Sequence, residues 1–121
     1  MAKVDMELKK AFTELQEKQT ETTQKLRIAD IQIENLKRTK QHASITEREV
    51  GTLDESVKTY ESVGRMFILT PMDKVKENLK MKQNTVEEKI KVIENNKVYL
   101  ENSLKEATNS LRELIQTKKE S

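Results

Sequence analysis

Cysteine and tryptophan are missing from this chain, proline occurs once, glycine twice, and aromatics fill only 3% of its 121 positions. Without cysteine there is no disulfide and no thiolate metal site, a composition compatible with a reducing compartment. So few aromatics argue against a thick globular core. Gly51 and Gly64 stand alone, so no glycine-rich phosphate loop exists. No apolar run approaches the ~20 residues of a membrane span, and the N-terminus lacks the apolar region of a signal peptide. The expected chain is soluble and intracellular. Nor is there an excess of one charge: 23 basic and 21 acidic residues leave +2, and the two signs are mixed along the sequence. Nucleic-acid binding wants a concentrated basic stripe, which is absent. Lys118 and Lys119 read as a solvated helix end, where cations suit the dipole.

What is present is charge, at 36%, together with abundant Glu, Lys, Leu and Gln. Such a composition fits either disorder or long helices with a narrow apolar seam. Strong helix formers favour the second. Alternating steps of four and three from Leu8 reach Phe12, Leu15, Gln19, Thr22, Leu26, Ala29, Ile33, Leu36, Lys40 and Ala43. Eight of those eleven positions are apolar, which is a sustained heptad seam. From Leu79 the same steps reach Gln83, Val86, Ile90, Ile93, Lys97, Leu100, Leu104, Ala107, Leu111, Leu114 and Lys118, nine of twelve apolar. Two arms of similar length predict an antiparallel coiled-coil hairpin.

Between the arms the heptad lapses. Thr46-Glu47-Arg48-Glu49 has the capping-box pattern, and Ile45 and Val50 have the spacing of a hydrophobic staple. The first arm is therefore predicted to end or bend near Ser44, with a short helix to about Asp54. Residues 57–70 then concentrate β-branched and aromatic side chains. Gly64-Arg65 suits a two-residue type II′ turn, so Thr59–Val63 should pair with Met66–Thr70. Thr70 is placed to cap the next helix, Pro71 to occupy its first position, and Asp73 to favour its positive end. The expected fold is mainly α, with one β-hairpin at the bend. One domain is expected over 1–121, divided into an arm (1–44), a short helix and β-hairpin (45–70), and a second arm (71–121).

Met66-Phe67-Ile68-Leu69 is a continuous apolar run, and in a strand such a run has no solvent face. A lone two-stranded hairpin is marginal in water and leaves open edges. Either the hairpin folds down onto its own arms, or hairpins from several subunits join into a larger sheet or barrel. Arms that project in one direction cannot cover both faces, which favours assembly. The candidate assembly residues are Tyr60, Val63, Gly64, Met66, Phe67, Ile68 and Leu69.

The segment Tyr60-Glu61-Ser62-Val63-Gly64-Arg65-Met66-Phe67-Ile68-Leu69 closely resembles the hairpin of β-type prefoldin subunits. Glu7 to Gln16 and Ala29 to Glu34 support the likeness, which spans nearly the whole chain. The heptads alone are generic; the hairpin is the specific part. The resemblance implies a heterohexamer of two α-type and four β-type subunits, with hairpins in a double barrel and six coiled coils projecting from it. It further implies a cytoplasmic, ATP-independent chaperone without cofactors. Such a complex captures unfolded proteins, actin and tubulin among them, and passes them to the cytosolic chaperonin.

In that arrangement both chain ends lie at the free tip of the coiled coil. Val4, Met6, Leu8 and Phe12 would gather there against Leu111, Leu114 and Ile115, as candidate client-binding residues. Fraying termini expose apolar groups at low cost. Leu8, Phe12, Leu111 and Leu114 also lie in seam register and would close the coil. Val4, Met6 and Ile115 lie off it and are the better client contacts. No catalytic constellation is present: His42 stands alone, and the carboxylates follow solvated helix faces. No enzyme, metal, nucleic-acid or membrane role is therefore expected. The rival to a chaperone subunit is a structural scaffold or tether, although a scaffold would more often continue its heptads through the centre.

Overall fold

A computed structural model describes the backbone of residues 2–120 and the side chains of residues 6–120. The element order is α1 (Ala2–Gly51), β1 (Thr59–Val63), β2 (Met66–Thr70) and α2 (Met72–Glu120). The chain divides into two compact units. One combines Met1–Ile31 with Ile93–Ser121; the other is Gln32–Val92.

Within the first unit, α1 and α2 are antiparallel. Glu7 meets Lys118 (2.8 Å), and Asp30 meets Lys97 (2.5 Å). Thr22, Ala29 and Leu111 are buried there. Within the second unit the helices are again antiparallel: Lys40 meets Glu87 (3.7 Å), and Gln83 Nε2 donates to Glu47. Ile33, Ala43, Val86 and Ile90 are buried in it. All these buried residues are heptad positions, as the periodicity requires. No large side chain among the described residues is fully enclosed. A two-helix seam is one layer deep, so each residue keeps some solvent contact.

Four of the six polar interruptions of the seam have partners across it. Lys97, Lys118 and Gln83 on α2, and Lys40 on α1, each reach an acidic side chain on the opposite helix. A long side chain can lay its aliphatic stem in the seam and carry its head to the rim. Asp30, hydrogen-bonded to Lys97, raises that ammonium above its ordinary value of 10.5; desolvation opposes this, and the charges of Asp30, Glu101 and Glu94 add to it.

The predicted break near Ser44 does not occur. Helix α1 runs unbroken to Gly51. The Thr46 hydroxyl donates back to the His42 carbonyl at 2.9 Å and so does not cap a new helix. Ala43, 1% exposed, continues the seam through the expected boundary. Packing here overrides a local capping signature. The separate short helix to Asp54 is likewise absent; Thr52 and Leu53 close a final turn onto Glu49 and Val50. At the other junction the expectation is shifted by one residue. Thr70 belongs to β2 and its hydroxyl donates to Ile68 O (3.0 Å). The Pro71 carbonyl accepts the first helical bond, from Val75 N–H, which makes Pro71 itself the cap residue.

Candidate functional site

The strands form where they were expected. They pair antiparallel as Thr59↔Thr70, Tyr60↔Leu69, Glu61↔Ile68, Ser62↔Phe67 and Val63↔Met66. Gly64 has φ +63°, and no other described residue has positive φ. A type I′ turn needs two such residues and II′ only the first, so Gly64-Arg65 matches II′. An added Cβ at Gly64 would meet nothing within 4 Å. Glycine is required there by the backbone conformation alone.

Register sorts the hairpin into two faces. One carries Thr59, Glu61, Val63, Met66, Ile68 and Thr70; the other carries Tyr60, Ser62, Phe67 and Leu69. Polar contacts hold the first face at its base. Thr59 Oγ1 donates to Thr70 O (2.6 Å), and Asn78 Nδ2 of α2 donates to the Glu61 carboxylate (2.8 Å). Beyond those anchors the apolar residues are open to water. Exposures run from 47% at Ile68 to 74% at Phe67, with Tyr60, Val63, Met66 and Leu69 between. Neither face is covered by the chain's own helices.

The edges are open as well. Val63 and Met66 close a two-residue turn and so form a hydrogen-bonded pair. Alternation then leaves Ser62–Phe67 and Tyr60–Leu69 as non-bonded pairs, whose N–H and C=O groups point away from the partner strand. Each strand can therefore accept another strand alongside it. At the hairpin's base an open pocket lies between the 55–58 segment and the start of α2, lined in part by Val57, Lys58, Leu69, Pro71 and Met72. Sequence periodicity gave no sign of it, because residues 52–58 belong to no regular element.

In the first unit, Leu8, Lys9, Phe12 and Ile115 line one shallow pocket. Ala11, Leu15, Ala107, Leu111 and Leu114 contribute to another. Leu8, Leu114 and Ile115 are half-buried and Leu111 is buried. Met6 is 71% exposed and Phe12 51%, so Phe12 closes the seam less fully than its register implied. Ile115 is the converse: off register, yet half-covered against Leu8 and Phe12. The Val4 side chain lies outside the described residues. Among the described residues no group of three or more His, Cys, Asp or Glu could hold a metal ion, and no helix is long and apolar enough to cross a membrane.

The family profile described as prefoldin subunit matches residues 13–118. Prefoldin subunit 1 of Homo sapiens is 52% identical over 118 residues, covering 98% of this chain and 97% of the relative. Prefoldin subunit 1 of Arabidopsis thaliana is 34% identical over 106 residues, covering 88% and 83%. In fold, the crystal structure of the prefoldin beta subunit from Thermococcus strain KS-1 is similar with a TM-score of 0.71, at 23% identity, covering 88% of this chain and 90% of that one.

Proposed function

Because the chain belongs to the prefoldin family, and is thus a chaperone subunit that assembles with other prefoldin subunits, we propose that its hairpin is the assembly element and its chain-end residues the client-holding element. One observation carries the first half: six apolar side chains on both hairpin faces are 47–74% exposed. Patches of that kind mark interaction sites. Hairpins from neighbouring subunits would cover the faces and pair with the edges, using Tyr60, Val63, Met66, Phe67, Ile68 and Leu69, with Gly64 holding the turn. The partners are α-type and β-type subunits, in a heterohexamer.

For the second half, Phe12 is open to solvent beside Leu8 and Ile115, Met6 is open to solvent nearer the chain end, and Leu111 and Leu114 lie in the seam. Val4 completes this set by sequence. Methionine and phenylalanine offer adaptable apolar contact to unfolded segments. Each contact is weak, and several subunits together give avidity. Holding of this kind needs no ATP, metal or catalytic group. The clients would be unfolded or nascent chains of the actin and tubulin class, released to the chaperonin in the cytoplasm.

The test is to replace Val4, Met6 and Ile115 with Ser and assemble the complex. Reduced suppression of client aggregation, with an intact hexamer, is the expected outcome. Unchanged suppression would remove these residues from the client site.

A further inference from the structure

Burial in the hairpin is inverted. Its apolar residues Tyr60, Val63, Met66, Phe67, Ile68 and Leu69 are exposed, whereas Glu61, the single charged residue in either strand, is half-buried. A carboxylate is ordinarily the group left in water unless it has a partner. Here the partner comes from α2: Asn78, itself half-buried, donates from Nδ2 to Glu61 Oε1 at 2.8 Å.

Beyond the chain connections, little else ties the hairpin to that helix. The bonds from Thr59 Oγ1 to Thr70 O and from Thr70 Oγ1 to Ile68 O lie within the hairpin. The turn bond from Val57 N–H to Asp54 O lies within the segment that leads into β1. Among the described residues, Asn78–Glu61 is the one hydrogen bond or ion pair that joins a strand to a helix. No apolar side chain of the strands is buried against α2. On the opposite face Leu69 borders the open pocket at the base. The hairpin is thus braced on the face of Glu61 and unsupported on the other.

We infer that the Glu61–Asn78 hydrogen bond is a strut that sets the tilt of the hairpin on α2, which makes both residues positioning residues for assembly. A strand edge pairs only when its N–H and C=O groups line up with those of its neighbour. A change of tilt displaces all of them together. Holding the tilt before a partner arrives removes that ordering cost from the encounter. A chain whose hairpin visits the competent orientation only part of the time binds in proportion to that fraction. A hydrogen bond suits the task because it is directional, and the carboxylate makes it stronger than a neutral pair. The bond also supplies Glu61 with a donor from its own chain, so a neighbour that covers this face meets a carboxylate already partnered. This inference rests on the hairpin being the assembly element, as proposed above.

The experiment mixes the fluorescently labelled full chain with its unlabelled partner subunits and reads association and dissociation rates by anisotropy. Asn78→Asp sets a second carboxylate against Glu61. The double variant Glu61→Gln/Asn78→Asp restores the bond in the reverse direction, with the glutamine amide donating to the new carboxylate. Asn78→Asp should slow association about five- to tenfold, the loss of one charge-assisted hydrogen bond. Dissociation and the helix melt of the isolated chain should not change, and the double variant should recover most of the rate. Should Asn78→Asp fail to fold, Asn78→Ala removes the donor without adding charge and should show the same slowing. Association at the unchanged rate overturns the strut and leaves the assembly role intact. Faster dissociation with unchanged association overturns it in favour of a direct contact with a neighbouring subunit. Slowing that the double variant does not rescue overturns it as well, because the bond is then not the cause. No assembly by the unchanged chain overturns both the strut and the assembly role.

Discussion

The helix seam and the β-hairpin are built from similar apolar residues and end in opposite conditions. Ala29, Ile33, Ala43, Val86, Ile90 and Leu111 are 1–9% exposed, whereas the hairpin's six large apolar residues are 47–74% exposed. A helix concentrates its apolar residues on one stripe, and a second helix suffices to cover a stripe. A ribbon with consecutive apolar residues has two such faces, and a single chain of this length provides nothing to lay on either. The seam therefore completes itself within one chain, whereas the hairpin would, on the proposal above, be completed by neighbouring subunits.

Four substitutions would break or sharpen that contrast. Phe67→Asp has the largest expected effect. In the isolated chain Phe67 is 74% exposed, so the change should leave stability within about 0.5 kcal/mol. In the complex it would bury an unpaired charge at a cost of several kcal/mol. Native mass spectrometry should show loss of the hexamer, and circular dichroism should show the helices retained. Ile90→Ala tests the seam and should behave in the reverse way. It removes a buried side chain from the isolated chain, at a cost of about 2 kcal/mol or more, readable in a thermal melt.

Gly64→Ala comes next. Since a Cβ there meets no neighbour, only the left-handed backbone resists it, and the cost should be about 1–2 kcal/mol. It should appear as weaker assembly with an unchanged helix melt. The smallest effect is expected at Lys97. Its pKa is raised in the folded chain, chiefly by its bond to Asp30. The stabilisation is therefore complete below the ordinary value of 10.5 and is lost as pH rises through the higher folded value. Lys97→Met should abolish this alkaline decline in melting temperature and lower the melt near neutral pH by a similarly small amount.

How much of this was legible in the sequence follows from the same contrast. Periodicity reports which residues share a stripe, so the seam could be read almost position by position. The hairpin was legible because Gly64 and the β-branched flanks are local signals. The failures came where a local signal met a longer-range one. Thr46 to Glu49 spells a capping box, yet α1 continues because Ala43 is held against α2. Thr70 and Pro71 were displaced by one position because β2 keeps Thr70 in its ladder. Phe12 and Ile115 exchanged degrees of cover, since heptad register says nothing of how far a seam stays closed near a chain end. Partners such as Lys97–Asp30 and Lys118–Glu7 depend on the stagger of two helices, which no single-helix pattern contains.

The most direct measurement is amide hydrogen exchange at Phe67 and Leu69, in the isolated chain and in the complex with its partner subunits. Both N–H groups face the open edge of β2. Rapid exchange in the isolated chain and strong protection in the complex are expected. Protection already present in the isolated chain, or none gained in the complex, would contradict the idea that other subunits complete the hairpin.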